Sequence, residues 1–163
     1  MAEIDTDVSA GVTHEIREED IRVCLFSMGE DLYAIPVELL TEIIISQKIF
    51  PVPTTPPHVL GVMNLRGNIV PIVDIRAALS LPRQSSPNQI AIIRHRAVTL
   101  GIVVDNVSEV IAVPVSRVLA MPADASAQPG KSRSRFLKSV IQREEGVAGL
   151  LNVEQIIEEI KLE

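Results

Sequence analysis

Tryptophan is absent from the chain, and three phenylalanines and one tyrosine are its whole aromatic content. Proteins that hold single-stranded nucleic acid stack bases on aromatic rings, and so few rings give too few platforms. Positive charge is short as well: 15 Lys and Arg face 21 Asp and Glu, for a net charge of −6. That balance is wrong for neutralising phosphates and excludes a general nucleic-acid binder. A lone cysteine, Cys24, rules out an internal disulfide and suits a reducing compartment. No apolar run reaches the ~18–20 residues that span a bilayer, so direct membrane insertion is not expected. The opening stretch MAEIDTDVSAG is acidic, where a secretory signal is basic and then apolar. The expectation is a soluble, cytoplasmic protein.

Catalytic signatures are equally scarce. His14, His58 and His95 lie far apart, with no HExxH pair and no cysteine partners for zinc. Cys24 lies in an apolar stretch, where a free cysteine behaves as a small hydrophobe. A nucleophilic role would need a base that the sequence does not display. Asp74 and Asp105 each end an apolar run, so a carboxylate pair for acid–base work is conceivable. Capping explains both more simply. No glycine-rich phosphate loop and no G-x-S-x-G elbow occurs. Lys131, Arg133 and Arg135 alternate with serine and read as a solvated loop, or else as a contact for an acidic partner. No catalytic residue, metal site or cofactor is expected.

What the chain has is aliphatic bulk. Hydrophobic residues make up 47% of it and mean hydropathy is +0.29, enough for one buried core filled by Ile, Val, Leu and Ala. The β-branched bias favours strands. Residues 1–20 carry seven acids and few large apolar residues, and read as a flexible tail. Residues 21–157 read as a single domain, with 158–163 the end of a C-terminal helix.

The most informative run is GVMNLRGNIVPIVDIRAAL, residues 61–79. Two β-branched runs flank the polar corner Arg66-Gly67-Asn68, which predicts a β-hairpin with Gly67 at positive φ. Pro71 belongs where its strand has no ladder partner, and Asp74 can cap a helical turn over 75–79. Other strands are expected at 21–28, 32–35, 42–49, 90–94, 98–105, 107–113, 136–143 and 147–152. Pro36 opens a short helical turn over 37–41, and an amphipathic helix covers 153–162. Four prolines between positions 51 and 57 fix an extended connection. The polar link 82–89 reads as the best internal boundary, and 120–135 as a long loop. VPIVDIRAAL, LGIVVDNVSEVI and VAGLLNVEQII each run a strand into an Asp or Asn cap, which fits either three ordinary strand ends or two related β units. Many short strands with frequent turns point to barrels or a sandwich.

NLRGNIVPIVDIR closely resembles the signature of the CheW-like domain, the adaptor of bacterial chemotaxis arrays. YAIPVELLTEI (residues 33–43), PVPTTPPHVLGVMNLRG (51–67) and GIVVDNVSEVIAVP (101–114) resemble that family's flanking blocks, and the likeness runs from about residue 21 to 157. The resemblance implies an all-β fold of two small SH3-like five-stranded β-barrel subdomains with short helices. It implies a non-catalytic scaffold coupling the cytoplasmic tip of chemoreceptors to the regulatory domain of a CheA-type histidine kinase, recruited to membrane-associated receptor arrays. On matching positions, a receptor groove would be lined by Leu40, Val107 and Val110 beside Glu42 and Arg66, while Ile43, Ile45 and Leu60 would face the kinase. Arg66 is expected to pair with Glu42 and orient it. One departure is Asn152, where the family more often has aspartate; Asn caps as well. An adaptor for pilus motility or another receptor-coupled pathway would share this surface chemistry. A small β-barrel enzyme or ligand carrier would instead need Asp74, Asp105 and a histidine to line one cleft.

Overall fold

The computed structural model describes residues 19–45, 47–77, 79, 81, 89–120 and 136–160; the acidic tail, most of the 82–89 link and the loop bearing Lys131, Arg133 and Arg135 lie outside them. The described residues form β1 (Asp20–Met28), β2 (Asp31–Pro36), a 3-10 turn (Val37–Leu39), β3 (Leu40–Ile45), β4 (Val59–Leu65) and β5 (Asn68–Val73). They continue as β6 (Gln89–His95), β7 (Val98–Val104), β8 (Asn106–Pro114), a second 3-10 turn (Val115–Arg117), β9 (Val118–Ala120), β10 (Leu137–Arg143), β11 (Gly146–Leu151) and the helix α1 (Val153–Ile160).

Each hairpin closes on a two-residue turn, and the central one is tighter than its sequence suggests. Leu65 pairs with Asn68, so Asn68 belongs to the ladder and the corner is Arg66-Gly67 alone. Both have positive φ, 52° and 87°, the geometry whose twist matches that of the flanking strands. Pro71 lies opposite Val62, whose own N–H and C=O are turned away to Phe50. Pairing of β5 with β7 begins only at Ile72, so the missing amide proton of Pro71 costs no ladder bond. Asp74 accepts the Arg76 N–H at 3.0 Å and Asn152 accepts the Gln155 N–H at 3.1 Å, so both strand ends are capped as expected. The turn after Pro36 is shorter than expected because Leu40 is already extended and opens β3.

Two sheets result, in the orders β8-β1-β2-β11-β10-β9 and β3-β6-β7-β5-β4. The expected pair of β subdomains is present, but the first sheet has six strands rather than five, because β9 adds to β10. The chain starts in the six-stranded sheet, leaves it after β2, and returns through Asp105, the single residue between β7 and β8. The 82–89 link is therefore no boundary between sheets: β5 and β6 on either side of it share one. It separates two runs of chain whose strands pair in corresponding ways instead. In β3 the pairs Leu40↔Ile93 and Glu42↔Ile92 flank a bulge; in β8 the pairs Val107↔Phe26 and Glu109↔Leu25 flank another at the corresponding place.

Strand alternation divides the apolar residues among three clusters. Val23, Leu25, Ala34, Ile141, Ala148 and Leu150 fill the inner face of the six-stranded sheet. Met63, Val70, Ile72, Ile90, Ile92 and Val103 fill that of the five-stranded sheet. The opposite faces supply Phe26, Met28, Tyr33, Ile35, Ile93, Leu100 and Ile102 to a central cluster, joined by Phe136 and by Val153, Ile156 and Ile157 of α1. Both faces of the inner strands are thus buried, which is how so few aromatics suffice. Cys24 is buried among them, and burial raises its thiol pKa, so it stays an unreactive apolar filler.

Candidate protein-docking groove

The edge strands β3 and β8 carry six of the eight residues singled out by sequence, all but Leu60 and Arg66. Cross-strand partners share a face. Leu40, Ile43 and Ile45 pair with Ile93, Ala91 and Gln89 and so project toward the junction of the sheets, whereas Glu42 and Ile44 pair with Ile92 and Ile90 and project inward. Leu40 packs on the central cluster and Ile44 on the inner one, while Ile45 is 77% exposed. On β8, Val107 and Val110 are three apart and would point to opposite sides of a regular strand. The bulge places Val107 opposite Phe26 and Val110 opposite Cys24, and Phe26 and Cys24 share a face, so the two valines do too. Val107 rests on the central cluster, and Val110 is 51% exposed.

Gln89 joins the two edges. It lies beside Ile45 across the ladder, and its side-chain oxygen accepts the Val107 N–H at 2.9 Å. Through Gln89 the Ile45 end of β3 is joined to the Val107 end of β8. Sequence reasoning missed Gln89, since a polar residue opening an apolar strand carries no signal of a cross-sheet bond. Leu60 stands apart: on β4 it packs against the inner cluster and lines a separate hollow of about 260 Å³ with His58, Asp74, Arg76 and Leu81.

Arg66 and Glu42 form the expected pair. Nη1 donates to Oε2 at 2.6 Å and Nη2 to Oε1 at 2.7 Å, a two-pronged contact from the β4–β5 turn to β3 at the other edge of the sheet. These bonds hold the Glu42 carboxyl below its ordinary range and raise the Arg66 guanidinium. The pair rims a cavity of about 650 Å³ floored by Leu65, Val70 and Ile92. Glu42 thus borders β3 from the face opposite Leu40.

Asp74 and His58 line one hollow, but Asp105 does not share it. Both carboxylates are engaged: Asp74 by the Arg76 N–H and guanidinium, Asp105 by Arg76 and by the Gly29 N–H at 2.7 Å. Among the described residues no group of three His, Cys, Asp or Glu is arranged to hold a metal ion. No helix of the described residues is long and apolar enough to cross a membrane.

A sequence profile of the CheW-like domain matches residues 22–161. The chain belongs to the CheW-like family. Chemotaxis protein CheW of Helicobacter pylori is 28% identical over 159 residues, covering 96% of this chain and 93% of the relative. Chemotaxis protein CheW of Bacillus subtilis is 27% identical over 149 residues, covering 90% and 92%. The fold is that of the scaffolding protein TtCheW from Thermoanaerobacter tengcongensis, with a TM-score of 0.71 at 22% identity over 81% of this chain and 88% of that one. The CheW-like span takes in both sheets and all but the first three described residues, 19–21.

Proposed function

We propose that this chain, a chemotaxis coupling scaffold, acts without catalysis by seating a chemoreceptor tip in the groove between its sheets while holding the regulatory domain of a CheA-type histidine kinase. Leu40, Val107 and Val110 receive an apolar stripe of the receptor's helices, the helix-in-groove mode. Ile43 and Ile45, farther along β3 on the same face, meet the kinase, with Leu60 a more distant contact. Glu42 and Arg66, on the other face of β3 from Leu40, meet the receptor across the open edge of that strand and supply its polar contact. Holding both partners raises their effective concentration and sets their relative orientation. The protein works in the cytoplasm and reaches the membrane only through its receptors.

The single observation that carries this reading is the exposure of Val110 and Ile45 on strand edges beside the junction, since apolar patches left open mark interaction sites. Binding of a receptor-tip fragment and of the kinase regulatory domain is measured separately for wild type, Val110→Asp and Leu40→Glu. Val110→Asp loses the receptor and keeps its melting temperature; Leu40→Glu loses the receptor with some loss of stability, because Leu40 packs on the core. Charge reversal at Glu42 or Arg66 weakens the receptor complex, and the double reversal restores it. Full receptor affinity in Val110→Asp would remove the groove.

A further inference from the structure

Arg76 is the only charged side chain among the described residues that is buried, at 2% exposure, and nothing in the docking of partners as described above uses it. Its position is unusual. It follows β5 in the five-stranded sheet, yet its Nη2 donates to Asp105, the lone residue carrying the chain from that sheet into β8. Its Nη1 lies 3.5 Å from Asp74 at the end of β5. The other Asp105 oxygen accepts the N–H of Gly29, in the turn between β1 and β2 of the six-stranded sheet. The Asp105 N–H donates to Ser27 at 3.0 Å. One guanidinium and one carboxylate therefore tie a turn of one sheet to a turn of the other through the crossover itself.

We infer that Arg76 and Asp105 are positioning residues that set the spacing of the groove. The walls of the groove, β3 and β8, belong to different sheets. β8 is held to β1 along its whole length, so the one-residue crossover at Asp105 acts between the two sheets, its two backbone torsions setting how one lies against the other, and Val107 follows only two residues later. Pinning that carboxylate from both sheets fixes where Val107 and Val110 stand relative to Leu40. The kinase contacts at Ile43 and Ile45 lie on β3 of one sheet and do not depend on the crossover; Leu60 shares a hollow with Arg76 but not with Asp105, so Asp105→Asn is the variant that decides whether kinase affinity is kept. The inference rests on the proposed groove, and its test separates the two.

The full chain is made as wild type, Arg76→Met and Asp105→Asn, the second keeping the shape of the side chain where the first perturbs the fold. Affinities for the receptor-tip fragment and for the kinase regulatory domain are measured separately. In a Cys24→Ala background, spin labels on cysteines placed at Arg94 of β6 and Lys138 of β10 report the distance between sheets. The expected result is a loss of receptor affinity of about tenfold, a typical size for coupling between elements, with kinase affinity kept and a broader distance distribution. Proportional loss of both partners along with melting temperature would make the pair merely structural and overturn the inference, as would an unchanged distribution in both variants. If wild type bound no receptor tip, the groove reading would fail, while the distance measurement would still decide whether the pair holds the sheets.

Discussion

Gly61 to alanine is the sharpest structural perturbation open to a single methyl group. Gly61 lies in β4 beside a bulge, where Phe50 forms an antiparallel bridge with Val62. A Cβ at position 61 would stand 2.2 Å from the Phe50 oxygen, 2.7 Å from its carbonyl carbon and 2.9 Å from the Pro51 Cα. All three are backbone atoms, so no side chain can swing aside; the connection 47–58 must move off β4. Doing so breaks the two bonds of the bridge, Phe50 N–H to Val62 O at 2.8 Å and Val62 N–H to Phe50 O at 2.9 Å. At about 1 kcal/mol for each, with some loss of packing at Ile49, the cost is roughly 2–3 kcal/mol. For a domain of this size that is roughly 5–10 °C in melting temperature. With no tryptophan in the chain, far-UV circular dichroism is the suitable probe. The control is Gly67→Ala, at φ 87° with nothing within 4 Å of the added methyl, which costs only backbone strain of roughly 1 kcal/mol. If Gly61→Ala melted at or above Gly67→Ala, the close approach of the Phe50 carbonyl would not be the constraint that position obeys.

Two further outcomes follow from the same geometry. Titration of Glu42 by carbon NMR in labelled protein should show a midpoint below that in Arg66→Met. Its folded pKa is depressed by the Arg66 hydrogen bonds, so the pair's contribution is full above the ordinary carboxylate pKa and fades as pH falls through the lowered one. Equal midpoints in the two proteins would mean the pair does not persist in solution. Ile92→Ala removes a 1% exposed side chain from the inner cluster of the five-stranded sheet and should destabilise by about 2–5 kcal/mol in urea unfolding; a loss under about 1 kcal/mol would mean a loosely packed interior.

The central hairpin and one ion pair were readable from the sequence. The alternation in NIVPIVDIR marked a hairpin, and the Arg66–Glu42 pairing followed from the resemblance of two separated motifs. Three features were not readable. The bulges in β3 and β8 insert one residue each, at Thr41 and Ser108, without leaving a mark in apolar periodicity, yet they decide which side chains share a face. Gln89, in the polar link 82–89, and Arg76, in the turn 75–79, carried no local signal, because their partners lie 18 and 29 positions along the chain.

The sequence by itself determined the elements: β-branched runs make strands, Gly67 allows the tight corner, Asp74 and Asn152 end strands with caps, and the ordered motifs fix the family. These are local effects, carried by φ/ψ preference and hydrogen bonds within a few residues. Only the tertiary structure decided which strands belong to which sheet, which apolar faces meet and which stay open, and that a buried arginine spans the crossover. A period-two pattern says that a face is apolar, whereas whether protein or solvent covers it depends on strands dozens of residues away.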